Sequence, residues 1–185
     1  MLLIILVVTR ANANDTVDLK QKPLNIQLQY AGNVGLVSVG AGRYNPGDKL
    51  NFCFIYGYLP KIINKTAVHT LALKLSYRIA GTQISPIYNL KYYAGVTALY
   101  GISRNTYLNH PDHFPDGYYK TNAIHFSPHL GFQLNVNMKN PGLKRVFFFT
   151  ELGTLDYKLW SALSTQYVNL FDIWNISLGF GFAFN

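Results

Sequence analysis

The sequence predicts an all-β chain that closes into a single eight-stranded antiparallel transmembrane β-barrel of the outer-membrane type. Three observations lead there. The last segment puts Trp174, Ile176, Leu178, Phe180, Phe182 and Phe184 on one face of an extended chain and Asn175, Ser177, Gly179, Gly181 and Ala183 on the other, because side chains of a strand alternate between faces. Charged residues make up only 13% of the chain and aromatics 15%, whereas soluble domains carry about 25% charged residues. No run of about 18 apolar residues is present, so a spanning helix is excluded. A closed barrel satisfies its backbone within lipid and turns its small, polar face inward.

The elements follow from the alternation, with turn residues as punctuation. Residues 1–13 are expected to be a secretory signal: Leu2 to Val8 are apolar, and Ala11-Asn12-Ala13 has the small-x-small cleavage pattern. Only Met1 precedes the apolar run where a basic stretch belongs, so the expected signal is one with a truncated start or an upstream initiation site. Residues 14–23 lack a strand pattern and are assigned to a periplasmic segment, and 24–185 to the barrel.

The first strand, Leu24 to Ala31, turns Leu24, Ile26, Leu28 and Tyr30 outward and Asn25, Gln27 and Gln29 inward, before a tight turn at Gly32-Asn33. The second, Val34 to Tyr44, sets Val37, Val39 and Ala41 against Ser38, Gly40 and Gly42. Asn45-Pro46-Gly47-Asp48 is a tight turn. The third, Lys49 to Leu59, carries Leu50, Phe52, Phe54, Tyr56 and Tyr58 on its lipid face and stops at Pro60. The fourth, Ala67 to Ile79, has Leu71, Leu73, Leu75 and Tyr77 outward and Thr70, Ala72, Lys74, Ser76 and Arg78 inward, with a turn at Ala80 to Gln83. The fifth, Ile84 to Gly101, shows Tyr88, Leu90, Tyr92, Ala94, Val96, Ala98 and Tyr100 to lipid. The sixth, Thr121 to Asn137, shows Ile124, Phe126, Leu130, Phe132, Leu134 and Val136. The seventh, Lys144 to Thr154, has no clean alternation through Phe147, Phe148 and Phe149. Trp174 to Asn185 is the eighth.

The long connections, Ile102 to Lys120 and Leu155 to Leu170, both fall at odd positions, as in barrels whose long loops share the end opposite the termini. Trp160, Leu163 and Tyr167 in the second are expected to form a short helical turn over the rim. Tyr30, Tyr44, Tyr58, Tyr77, Tyr100 and Tyr167 lie near strand ends, where interfacial girdles sit.

The formal net charge is +8, from 16 basic and 8 acidic residues. The basic residues scatter near strand ends and turns instead of forming a stripe, which argues against nucleic acid and for anionic lipid head groups at the rims. Cys53 is the only cysteine, so no intramolecular disulfide forms, and an inert strand position is expected for it.

FIYGYLPKIINKTAVHTLALKLSY (Phe54 to Tyr77), FPDGYY (Phe114 to Tyr119) and TELGTLDYKLW (Thr150 to Trp160) resemble stretches of small, mostly uncharacterised bacterial outer-membrane β-barrel proteins. The resemblance covers most of the chain after the signal and implies location and fold, not a reaction. Barrels of this kind commonly end on an aromatic residue, whereas here Phe184 is followed by Asn185.

Inward polar residues of a small barrel are expected as packing and hydrogen-bond networks. The notable set is Lys74, Arg78, Lys91, His125, Ser127, His129 and Glu151. Glu151 needs a cationic or histidine partner, because an unpaired interior charge is costly. A catalytic alternative rests on Ala123-Ile124-His125-Phe126-Ser127, which resembles the His-x-Ser motif of lipid A deacylases. That resemblance implies His125 as base, Ser127 as nucleophile and Glu151 as the carboxylate orienting the histidine. In those enzymes the motif lies close to the C-terminus, whereas about a third of this chain follows His125. His110, Asp112, His113 and Asp116 form a metal-ligand-like group, but Pro111 and Pro115 break the register that would converge them. No glycine-rich phosphate loop, zinc motif or nucleotide fingerprint is present, so neither cofactor nor metal is expected.

The reading is a monomeric outer-membrane barrel without an open pore, serving a structural or surface-interaction role. Its expected partners are outer-membrane lipids, lipopolysaccharide and, through the C-terminal strand, the barrel-assembly machinery. The alternatives are a lipid A-modifying acyl hydrolase and a soluble lipocalin-like ligand-binding barrel.

Overall fold

The structure, a computed structural model, describes residues 23–63, 65–104, 106, 123–139, 141–165 and 168–184. Eight strands, β1 (Leu24–Ala31), β2 (Val37–Tyr44), β3 (Leu50–Leu59), β4 (Val68–Gln83), β5 (Tyr88–Ile102), β6 (Ile124–Asn137), β7 (Leu143–Gly153) and β8 (Asn175–Phe184), pair in chain order. Every pair is antiparallel, and β8 closes onto β1 with Phe180 opposite Leu28 and Gly179 opposite Gln29. Closure leaves no unpaired sheet edge, which matters because a lipid-exposed edge has no water to satisfy it.

The two faces are divided as the alternation predicts. Leu73, Leu75, Phe180 and Phe182 are 46%, 41%, 39% and 37% exposed, and Leu71 on the same face is half-buried. Lys74, Gln133 and Glu151 are buried, each under 10% exposed. A soluble lipocalin-like barrel requires the reverse facing, apolar inside, so the structure corrects that alternative. The fold is the transmembrane type, with strands as its spanning elements. Among the described residues no helix is long and apolar enough to cross a membrane.

Four local expectations change. The turn at Gly32-Asn33 is a longer loop between β1 and β2 that folds Val34 into the interior, where it is 4% exposed. Gly57 makes room for it: a Cβ there would lie 2.4 Å from the Val34 carbonyl oxygen. The turn expected at Ala80 to Gln83 is strand instead, paired as far as Gln83 with Asn89. A bulge between Arg78 and Ala80 shifts the parity, so the simple alternation ends at Ile79. Tyr44 is not a girdle residue; it shares inward parity with Ser38 and Gly42 and is 5% exposed. Tyr167 lies outside the described residues.

The ambiguous phenylalanine run resolves by cross-strand complementarity. Phe147 and Phe149 point inward and Phe148 outward. Their partners on β8 are Gly181 and Gly179, where an added Cβ would come within 2.4 Å and 2.2 Å of the rings. Large residues on one strand fill the space that the glycines of the other leave open.

Candidate functional site

The lumen is stacked in three zones set by strand direction. At the long-loop end, Val34, Cys53, Ile55, Ala72 and Leu99 form a small apolar plug, with Leu155 packed against it. Cys53 is fully buried there. Leu155 leads into α1 (Asp156–Ser164), which buries none of its own side chains and leaves Trp160 and Leu163 about 70% exposed. The short helical element expected from Trp160 and Leu163 is thus present.

The middle zone is a buried ion pair. Glu151 on β7 receives the Lys74 Nζ from β4 across the lumen at 2.6 and 2.7 Å on its two oxygens. Tyr93 donates its hydroxyl to Glu151 Oε1 at 2.8 Å. Gln29 Oε1 accepts a longer bond from Lys74 at 3.4 Å, and Ser177 Oγ lies 3.5 Å from Glu151 Oε2. His129 spans Ser76 and Thr97 through its two ring nitrogens, at 3.2 and 3.4 Å. Burying two charges is tolerable only when both are paired and their remaining bonds are met. The partner expected for Glu151 is therefore a lysine.

At the turn end, Asp48 folds back under the barrel. Its oxygens receive the Arg145 guanidinium in a fork at 2.7 and 2.8 Å, and Lys91 donates to the same carboxylate. The turn aims Asp48 this way because Asn45 Oδ1 accepts the Lys49 and Leu50 amides and the Asp48 backbone is left-handed, φ 51°. Burial alone would raise the Asp48 pKa, but Arg145 and Lys91 more than offset it and hold it at about 2. Tyr44 lies beneath the Arg145 guanidinium, 4.5 Å from ring centre to Cζ. Two cavities flank the Lys74–Glu151 pair, one of about 430 Å³ toward the turn end and one of about 300 Å³ toward the long loops, both counting their open mouths.

The three candidate hydrolase residues occupy separate networks. His125 Nδ1 lies 3.0 Å from Asp156 Oδ1 at the start of α1, and Asp156 Oδ2 also accepts the Phe126 amide. Ser127 is 4% exposed and accepts a 2.8 Å bond from Asn33, which in turn accepts from Asn175 at 2.6 Å. Glu151 is engaged by Lys74 and Tyr93. Among the described residues no hydrogen bond joins any two of the three, and Ser127 points into the barrel, away from lipid. His110, Asp112, His113 and Asp116 lie outside the described residues, and no group of metal-ligand type assembles among the described ones.

Sequence reasoning missed Asp48 and Asp156 as partners, because each sits in a segment legible only as a turn or a helix start. Acid scarcity was the available signal. With 8 acidic residues against 16 basic ones, a carboxylate beside a barrel end has cations to meet.

Closed strand order, apolar exterior and charged, filled interior define an eight-stranded outer-membrane-type barrel. No family model and no curated protein sequence matches the chain. Among solved structures it is similar to the N-terminal β-barrel domain of Pseudomonas aeruginosa OprF, at 14% sequence identity and a TM-score of 0.47. That match covers 89% of this chain and 98% of that one. The barrel assignment here rests on the chain's own strand pairing.

Proposed function

We propose that the chain is a monomeric barrel of the Gram-negative outer membrane whose role is structural or surface-interaction-based, without an open pore. The observation that carries this is the division of faces: Leu73, Phe126, Phe148 and Phe180 outside, Lys74, Gln133, Asn135 and Glu151 inside. Only a lipid solvent favours that division. The plug at Val34, Ile55 and Leu99 and the ion pair below it supply the reading without a pore. Both long connections leave the same end, after β5 and after β7, opposite the Asn45–Asp48 turn. In this reading they face outward and meet the partner, while the rim meets lipopolysaccharide and β8 is presented to the assembly machinery.

The test is fractionation of a Gram-negative host expressing the full chain, followed by protease treatment of intact cells. The chain should enter the outer-membrane fraction and be cut in the long connections, with the Asn45–Asp48 turn protected. Recovery in the periplasmic fraction, or cleavage at that turn in intact cells, overturns the reading.

A further inference from the structure

The turn-end cavity holds more positive charge than the barrel network uses. Lys49, Lys74, Arg78 and Lys91 line it against only Asp48 and Glu151. Glu151 is committed to Lys74, and Asp48 is already shared between Lys91 and Arg145. Arg78 is left over. It is half-buried, lies within electrostatic reach of Lys91, and has no acidic partner among the described residues. A barrel optimised only for stability has no reason to place an unmatched guanidinium beside an ammonium.

A second observation is independent of charge. Gln27, 4% exposed, lines the same cavity, and its amide Nε2 has no hydrogen-bond partner. An orphaned buried donor loses its bond to water and gains none in return, so native structures rarely retain one without a reason. Asn51 and Ser76 add short polar side chains to the wall. One unmet amide donor and one unmatched guanidinium thus line the same space. Exposed Lys49 forms part of its rim, so the space is reached from water at the turn end.

We propose that this cavity is a binding site for a small, water-soluble oxyanion of the phosphate class. Arg78 supplies a planar fork suited to paired oxygens. Lys91 and Lys49 add charge, and Gln27 donates from the deep wall. The lining side chains face inward, with exposed Lys49 at the turn end and no lipid-facing residue among them, so a free anion is the ligand and a lipid head group is not. The cavity's volume of about 430 Å³ counts open solvent at its mouth, so the enclosed part is much smaller and suits a group of the size of inorganic phosphate, not a nucleic acid strand.

The test uses the full chain folded in a neutral sugar detergent and titrated with inorganic phosphate by calorimetry. Folding of every variant is checked by its unheated gel mobility. Saturable binding at one site is expected, weakened about tenfold or more by Arg78→Gln and less by Arg78→Lys, which keeps the charge but not the fork. Gln27→Leu should weaken it in the same direction, and Lys139→Gln, on another turn at the same end, should leave it unchanged. Chloride should compete poorly, and a short-chain anionic phospholipid should not compete at all. The proposal is overturned by the absence of saturable phosphate binding to the parent chain. It is equally overturned if Arg78→Gln and Lys139→Gln lose affinity alike, or if chloride or the phospholipid competes as well as phosphate.

Discussion

Replacing Glu151 by alanine removes the carboxylate on which the middle of the barrel is organised. Lys74, 3% exposed, then keeps a single hydrogen bond, to Gln29 Oε1 at 3.4 Å, beside the Phe149 ring 5.3 Å away, and the Tyr93 hydroxyl loses its acceptor. Breaking a buried pair from one side costs about 3–5 kcal/mol. The cavities on either side have room for water, which partly solvates a stranded ammonium. That places the expected loss near the lower figure, about 3 kcal/mol. The double variant Lys74→Met, Glu151→Leu removes both charges and should recover to within about 1–2 kcal/mol of the parent, the remainder being the orphaned Tyr93 hydroxyl. Equilibrium urea unfolding in lipid vesicles, followed by tryptophan fluorescence and gel mobility, measures both. A loss below about 1 kcal/mol for Glu151→Ala, or a double variant no more stable than the single, refutes the argument that stranded charge sets the cost.

Three further outcomes follow from particular contacts. Asp48 has a depressed pKa, so its contribution is present above the unfolded value near 3.8 and is lost as pH falls toward about 2. Acid titration of stability should therefore show about 2 kcal/mol lost in that window, and Asp48→Asn should remove this acid dependence while lowering stability at neutral pH. Gly57→Val drives a side chain into the Val34 carbonyl and should cost about 1–3 kcal/mol in the same unfolding assay; an unchanged midpoint contradicts the close packing of the loop-end plug. Ser127→Ala should leave the host's lipid A acylation unchanged by mass spectrometry, because the hydroxyl faces the lumen and bonds to Asn33. An altered acyl pattern with the barrel intact would establish the hydrolase instead.

Alternation by itself determined the strand count, the facing of nearly every residue and the parity of the long connections. The physical reason is that lipid outside and polar packing inside impose a period of two on each spanning segment. It also located Glu151 as a charge needing a partner, since burial costs depend on residue type and face alone. Tertiary structure decided everything that depends on which residues meet across the lumen. Lys74, 77 positions away from Glu151, is its partner and His129 is not, because barrel closure brings β4 opposite β7. Asp48 became an ion-pair centre because a tight turn aimed it back inside, and Asp156 took His125 because α1 begins over β6. The bulge before Ala80 and the Phe147 and Phe149 packing into Gly181 and Gly179 were equally hidden. Period-two patterning carries the face of a side chain, but its partners come from ring closure, register and bulges, none of which is local to the residue.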